Sequence, residues 1–305
     1  VYKRQVLGWA EAEGVPVVMG MLNLPGCRWV QKNGGKQDYR LWNEERYQVQ
    51  AAAFWKELAS HLNDQPAVVA YNPLNEPHPA RQDGHADADA EGFPAWLAAH
   101  RGTAADLDLF NSRIVEAIRE VDPETPVLVE GYGHGSVAGL TRLTPVDDPA
   151  VLYSFHFYDP WIYTARKANK GRYSYPDAMP AYWNGPAEKW KRDTLGKRME
   201  PVAAWAARHR IRTSRIVAAE FGCDRGAPGA REYLEDVVTA LNRRGWHWAF
   251  YSFREDAWDR MDYEVGTGGL GAAYWEAVER GEAPERPRSD NPLWRVLQAG
   301  LKAER

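Results

Sequence analysis

Cysteine is nearly absent. Two occur in 305 residues, Cys27 and Cys223, too few for a disulfide framework or a cysteine-built zinc site. Both read as partly buried free thiols. No apolar run approaches the roughly 20 residues needed to cross a bilayer, so no membrane span is expected. Neither sign of charge dominates: 38 Lys and Arg stand against 42 Asp and Glu, a net −4. The basic residues are scattered, so nucleic acid and anionic membrane surfaces are not expected partners. Internal repeats are missing, and so is any hinge-like linker marking a second domain. GTGGLG at 266–271 satisfies a dinucleotide pattern, but no apolar strand leads into it and no βαβ unit follows. The acidic run DGHADADAEG at 83–92 lacks the bidentate glutamate of a calcium loop and reads as solvated loop. No cofactor and no metal are called for.

What is present is a large apolar fraction, 44%, enough for one large core. The 14 Trp and 15 Tyr are many for this length. Such rings fill cores and line clefts, and a flat ring also suits a pyranose face. Strand and helix signals alternate. Continuous apolar runs predict strands over 15–22, 67–74, 126–131, 150–157, 215–221 and 246–253. Helical spacing predicts helices over 6–14, 41–63, 103–121, briefly near Val137, then over 187–210, 230–244 and 292–302. Strands of this kind form a parallel sheet buried on both faces. Chemically capable residues recur at strand C-termini, where a (β/α)8 barrel or an open α/β sheet places its site. Six strands are counted. If the fold is the barrel, its first two strands and one helix are absent. The opening VYKRQ matches what the end of a sequencing adapter encodes, so residues 1–5 are set aside. Residues 6–305 are then expected to form a single partial (β/α)8 domain beginning just before strand three, with the natural chain starting further upstream.

Two glutamates stand out. Glu76 lies in AVVAYNPLNEPH, and Glu220 lies in RIVAAEFGC. A lone glutamate at a strand end is usually solvated or paired with a base. Two, each closing an apolar strand, suit glycosidic cleavage: one protonates the leaving oxygen and the other attacks or shields the sugar cation.

The segment NPLNEP (72–77) resembles the acid/base signature of glycoside hydrolase family five, the family of cellulases, mannanases and related enzymes. HFY (156–158), EFG (220–222) and an aromatic last strand follow in that family's order, at the spacing of its strands four, six, seven and eight. The resemblance covers most of 15–253. It implies a (β/α)8 TIM barrel and a retaining β-glycosidase acting on β-linked glucan, mannan or a related oligosaccharide or polysaccharide. It further implies that Glu76 is the general acid/base and Glu220 the nucleophile. Asn75 would hold the sugar 2-hydroxyl, Tyr158 would donate to Glu220, and His156 would join that network. The family's Trp beneath the sugar aligns best with Tyr251, with Trp248 as the alternative. A retaining mechanism needs the two carboxyls about 5–5.5 Å apart. Most relatives are secreted, although this chain carries no leader from which to assign a compartment.

Two departures bear on function. The family's polar pair after strand three falls on Gly20 and Leu22, so a hydrogen bond near the acid/base is lost or replaced. On the partial-barrel reading, strand two, which carries the family's arginine, lies outside this chain, and Glu220 would lack that cation. A carbohydrate-binding relative without turnover is therefore the alternative, and a metal-dependent hydrolase a third reading. Trp161 and Trp183 line a sugar subsite or pack in their loop. Glu255, Asp256, Asp259 and Asp262, after the last strand, are candidates for binding sugar hydroxyls. His134 ends a strand within reach of substrate, without an assigned role.

Overall fold

The computed structural model describes residues 2–183, 185–256 and 260–303. The chain divides into two compact units, Val1–Phe155 with Trp205–Ile211, and His156–Ala204 with Arg212–Arg305.

In the first unit the apolar runs become parallel strands: β1 (Val17–Gly20), β2 (Val68–Asn72), β3 (Val127–Glu130) and β4 (Val151–Phe157), the last belonging to it as far as Phe155. Gly20 lies opposite Asn72, Tyr71 opposite Val127, and Glu130 opposite Ser154. The C-terminal ends of the strands therefore gather on one edge. β3 is buried along its whole length, as a strand covered on both faces must be. Helix Glu45–Ser60 follows β1 and buries Ala51, Trp55 and Ala59, spaced by four on one face. Its Trp55 Nε1 donates to the Pro73 carbonyl at 3.0 Å, tying the helix to the chain just beyond β2. Helix Leu107–Arg119 is capped by Asp106, which accepts from the Asp108 N–H, and it buries Leu107, Phe110, Ile114 and Ile118. Cys27 is buried, and burial pushes its thiol pKa up to about 12.

In the second unit β5 (Ala178–Pro180) and β6 (Ala187–Lys189) form an antiparallel hairpin. β7 (Ile216–Phe221) and β8 (His247–Trp248) pair in parallel. Single bonds extend that ladder, with Ala249 N–H on Ala218 O at 2.9 Å and Tyr251 N–H on Phe221 O at 2.8 Å. Helix Ala230–Arg243 buries Tyr233, Leu234, Val237 and Leu241, the i, i+4 face of an amphipathic helix. Helix Pro292–Lys302 starts with proline at its first position and Asn291 as cap, accepting from the Leu293 and Trp294 N–H groups. Cys223 is buried and, like Cys27, in no disulfide.

The α/β class and the parallel pairing agree with the sequence expectation. Four elements differ. The helix expected from residue 187 begins at Arg192, because 187–189 pair in the hairpin. Phe93–His100 is an unanticipated helix. The first helix runs Tyr2–Ala12. The last strand is short, its far end held by the isolated bonds above. Among the described residues no helix is long and apolar enough to cross a membrane.

Candidate active site

Each unit holds one of the two glutamates at the C-terminal end of a strand. In the first, the chain leaves β2 at Asn72, and Asn75 N–H donates to the Met21 carbonyl at 2.8 Å. Glu76 follows with φ +52°. A non-glycine residue in the left-handed region costs of order 1–3 kcal/mol and persists where its surroundings over-determine it. Both polar groups of its backbone are held. Its N–H donates to Glu130 Oε2 at 2.9 Å, and its carbonyl accepts from His78 Nδ1 at 2.7 Å. Glu130, the last residue of β3, is only 3% exposed and takes Asn72 Nδ2 on its other oxygen at 3.0 Å. Asn72 Nδ2 also reaches the Leu128 carbonyl at 3.0 Å.

The half-buried carboxyl of Glu76 lies 3.8 Å, Oε2 to Nδ1, from His134. His134 comes from the turn after β3, where Gly133 and His134 both have φ +58°. Gly131 lets that turn pack closely, since a Cβ there would lie 2.2 Å from the Leu140 nitrogen. The His134 ring stacks on His78 with centroids 4.7 Å apart, and Trp29 lies 6.0 Å from His134 and 5.3 Å from His78. Arg81 Nη1 approaches His134 Nε2 at 3.5 Å. Arginine can only donate, so in that contact Nε2 of His134 is the acceptor. Burial pushes the His78 pKa below the usual histidine range.

Gly20 and Leu22 take no polar part. A Cβ on Gly20 would sit 3.4 Å from Asn72 Oδ1, and Leu22 is 60% exposed. Glu130 and His78, on the Glu76 backbone, and His134, beside its carboxyl, are among its polar neighbours. Of these, Glu130 and His78 carried no signal beyond their place at a strand end or beside NEP.

In the second unit Glu220 is the penultimate residue of β7. Tyr158 Oη donates to Glu220 Oε2 at 2.8 Å, and His156 Nδ1 lies 3.6 Å from the same oxygen. Tyr158 is anchored in turn. Thr164 Oγ1 donates to its carbonyl at 2.7 Å, and the Asp224 N–H donates to the Thr164 carbonyl at 2.9 Å. Donors facing a carboxylate favour its ionised form. The glycine of EFG has a local reason: a Cβ on Gly222 would meet the Tyr251 carbonyl at 2.5 Å. Tyr251 lies beside Phe221 through its N–H, and its Oη donates to Glu255 Oε2 at 2.9 Å.

Trp248 is not a sugar-facing ring. It is 7% exposed, its Nε1 donates to Asn242 Oδ1 at 2.7 Å, and its ring packs by Phe221 and over Gly300. Asp256 and Asp262 are also corrected. Asp256 is buried against Arg225 at 3.0 Å, and Asp262 against Arg288 at 2.9 Å. Asp259 lies outside the described residues. Trp161 and Trp183 meet edge to face with centroids 5.6 Å apart, and Trp183 is 54% exposed.

A family model, Cellulase (glycosyl hydrolase family 5), matches residues 4–257. Among curated proteins, Endoglucanase C of Acetivibrio thermocellus is 24% identical over 171 residues, which are 55% of this chain and 41% of that protein. An endoglucanase of Paenibacillus polymyxa is 27% identical over 167 residues, 50% of this chain and 37% of that one. The chain thus spans well under half the length of the curated relatives it matches. Among solved structures, Thermotoga maritima Cel5A in complex with cellobiose aligns with a TM-score of 0.63 at 16% identity, covering 97% of this chain and 77% of that one. A structure of the same enzyme with mannotriose gives the same values. These likenesses establish a shared α/β fold.

Proposed function

The chain belongs to the cellulase family, glycosyl hydrolase family 5, and on that premise we propose that it hydrolyses β-linked glucan by a retaining, two-glutamate mechanism. Its strands β1 to β4, β7 and β8 correspond in chain order to strands three to eight of the family's (β/α)8 barrel. Glu76 starts protonated and gives its proton to the glycosidic oxygen as the bond to the anomeric carbon breaks. Glu220 attacks that carbon and forms a glycosyl ester. Glu76, now a carboxylate, takes a proton from water, which displaces Glu220 and leaves the anomeric configuration retained. Asn75 binds the 2-hydroxyl, and Tyr251 lies beneath the sugar ring.

The observation that carries this reading is the hydrogen bond from Tyr158 to Glu220 at 2.8 Å, with His156 Nδ1 beside the same oxygen. A nucleophilic carboxylate must be ionised and correctly aimed, and such donors favour both. The choice of glucan follows the endoglucanase names of the similar proteins, and the mannotriose complex of a structural neighbour makes β-mannan the second substrate to assay.

The test is covalent trapping. A dinitrophenyl 2-deoxy-2-fluoro-β-cellobioside forms the ester quickly and loses it slowly. Mass spectrometry is expected to find one sugar on the peptide bearing Glu220, and Glu220→Gln to accept none. A label on another carboxylate, or near-parental turnover by Glu220→Gln, overturns the assignment.

A further inference from the structure

We infer that Glu130 is a positioning residue for the acid/base: its buried carboxylate clamps the Glu76 peptide in the left-handed conformation that aims the Glu76 side chain. The inference rests on the reading of Glu76 given above and adds a residue to it. Glu130 ends β3 and is almost fully buried, yet both of its oxygens serve the segment that carries Glu76. Oε2 takes the Glu76 N–H at 2.9 Å, and Oε1 takes Asn72 Nδ2 at 3.0 Å, where β2 ends. Bonds to an ionised acceptor are the strong ones. A buried carboxylate here thus holds the peptide more firmly than a neutral side chain would.

The held conformation is unusual. Glu76 has φ +52° and precedes Pro77, which itself limits the backbone. Changing φ to the ordinary negative range swings Cβ about the N–Cα bond, and with it the carboxyl. The N–H is the group whose direction is tied to φ, and Glu130 grips that N–H. His78 holds the carbonyl on the other side at 2.7 Å. Shortening the Glu130 side chain by one methylene withdraws the grip while leaving charge, burial and strand in place.

A residue that only stabilises the strand end would, when altered, reduce folded protein and lower activity equally on all substrates. A residue that aims the acid has a different signature. Expulsion of a poor leaving group needs a proton in the first step, whereas dinitrophenolate leaves without one. The experiment measures kcat/KM of the full chain on phenyl and 2,4-dinitrophenyl β-cellobiosides for the parent, Glu130→Asp, Glu130→Gln and Glu76→Ala. For Glu130→Asp the expected result is a fall on the order of 10²-fold with the phenyl substrate, the loss that an ångström of misplacement causes. The dinitrophenyl substrate should change by no more than about threefold, and azide, a nucleophile that needs no base, should raise its kcat. Glu130→Gln keeps an oxygen at full reach and is expected to stay closer to the parent in its phenyl-to-dinitrophenyl ratio. Should Glu76→Ala show the selective loss while Glu130→Asp lowers both substrates equally or neither, the clamp is refuted and the acid/base assignment stands. An unselective Glu76→Ala would refute both.

Discussion

Arg225 and Asp256 offer a quantitative test of the loop beyond β8. Arg225 is 1% exposed. Its Nε and Nη2 meet the two Asp256 oxygens at 3.0 and 3.1 Å, and its Nη1 donates to the Gly266 and Gly268 carbonyls at 2.6 Å each. Asp256 Oδ1 also accepts the Asp262 N–H at 3.1 Å. One guanidinium therefore ties the segment just after Tyr251 to the glycine-rich stretch that follows. In Arg225→Met the carboxylate stays buried without its cation and two carbonyls lose a donor. Breaking a buried pair from one side costs about 3–5 kcal/mol, and each lost bond to a neutral acceptor about 1 kcal/mol, which places the loss toward the upper end. Removing both charges in Arg225→Met/Asp256→Leu eliminates the stranded carboxylate. It leaves the carbonyls and the Asp262 N–H to be satisfied otherwise, a residual of roughly 1–3 kcal/mol. The double variant should thus be more stable than the single one by about 2 kcal/mol, contrary to additivity. Urea unfolding followed by tryptophan fluorescence, with linear extrapolation to water, reads these differences. A single variant within 1 kcal/mol of the parent, or a double variant no better than the single, refutes the reasoning.

Two further outcomes follow. Tyr158→Phe removes an O–H donated to the Glu220 carboxylate at 2.8 Å; a bond to a charged group is worth about 1.5–3 kcal/mol, so kcat/KM on aryl β-cellobiosides should fall tenfold or more, and a change below twofold would take Tyr158 out of the site. Burial holds the His78 pKa below the usual histidine range. As pH falls through that range, the unfolded chain takes up a proton that native His78 resists, so stability is full above it and declines until the native pKa is reached. Unfolding free energies measured from pH 7 to 5 should therefore drop more steeply in the parent than in His78→Gln, and parallel slopes would contradict the assignment.

The strands were legible because a strand covered on both faces must be apolar along its length, as in Val127–Glu130 and Val151–Phe157. The helices around Trp55 and Val237 were legible from their i, i+4 faces. The β5–β6 hairpin was not: three-residue strands such as Ala187–Lys189 are too short to show a period. Helix Phe93–His100 was missed because its apolar residues run almost all round it rather than along a stripe. At the candidate site, NEP, HFY and EFG marked Glu76, His156, Tyr158 and Glu220 by their family resemblance. Glu130 resembled any acid that closes a strand, and His134 any histidine in a glycine-rich turn.

The sequence by itself determined the α/β class, the chain order of the strands and the two glutamates near their C-terminal ends. Those properties are local, written in burial periodicity and in short contiguous motifs. Only the tertiary structure decided which groups surround each glutamate. The bond from Glu76 to Glu130 spans 54 positions and that from Tyr158 to Glu220 spans 62, and no periodicity runs between such partners. It also decided that Trp248 packs among the helices, since which face of a strand turns outward depends on what folds against it.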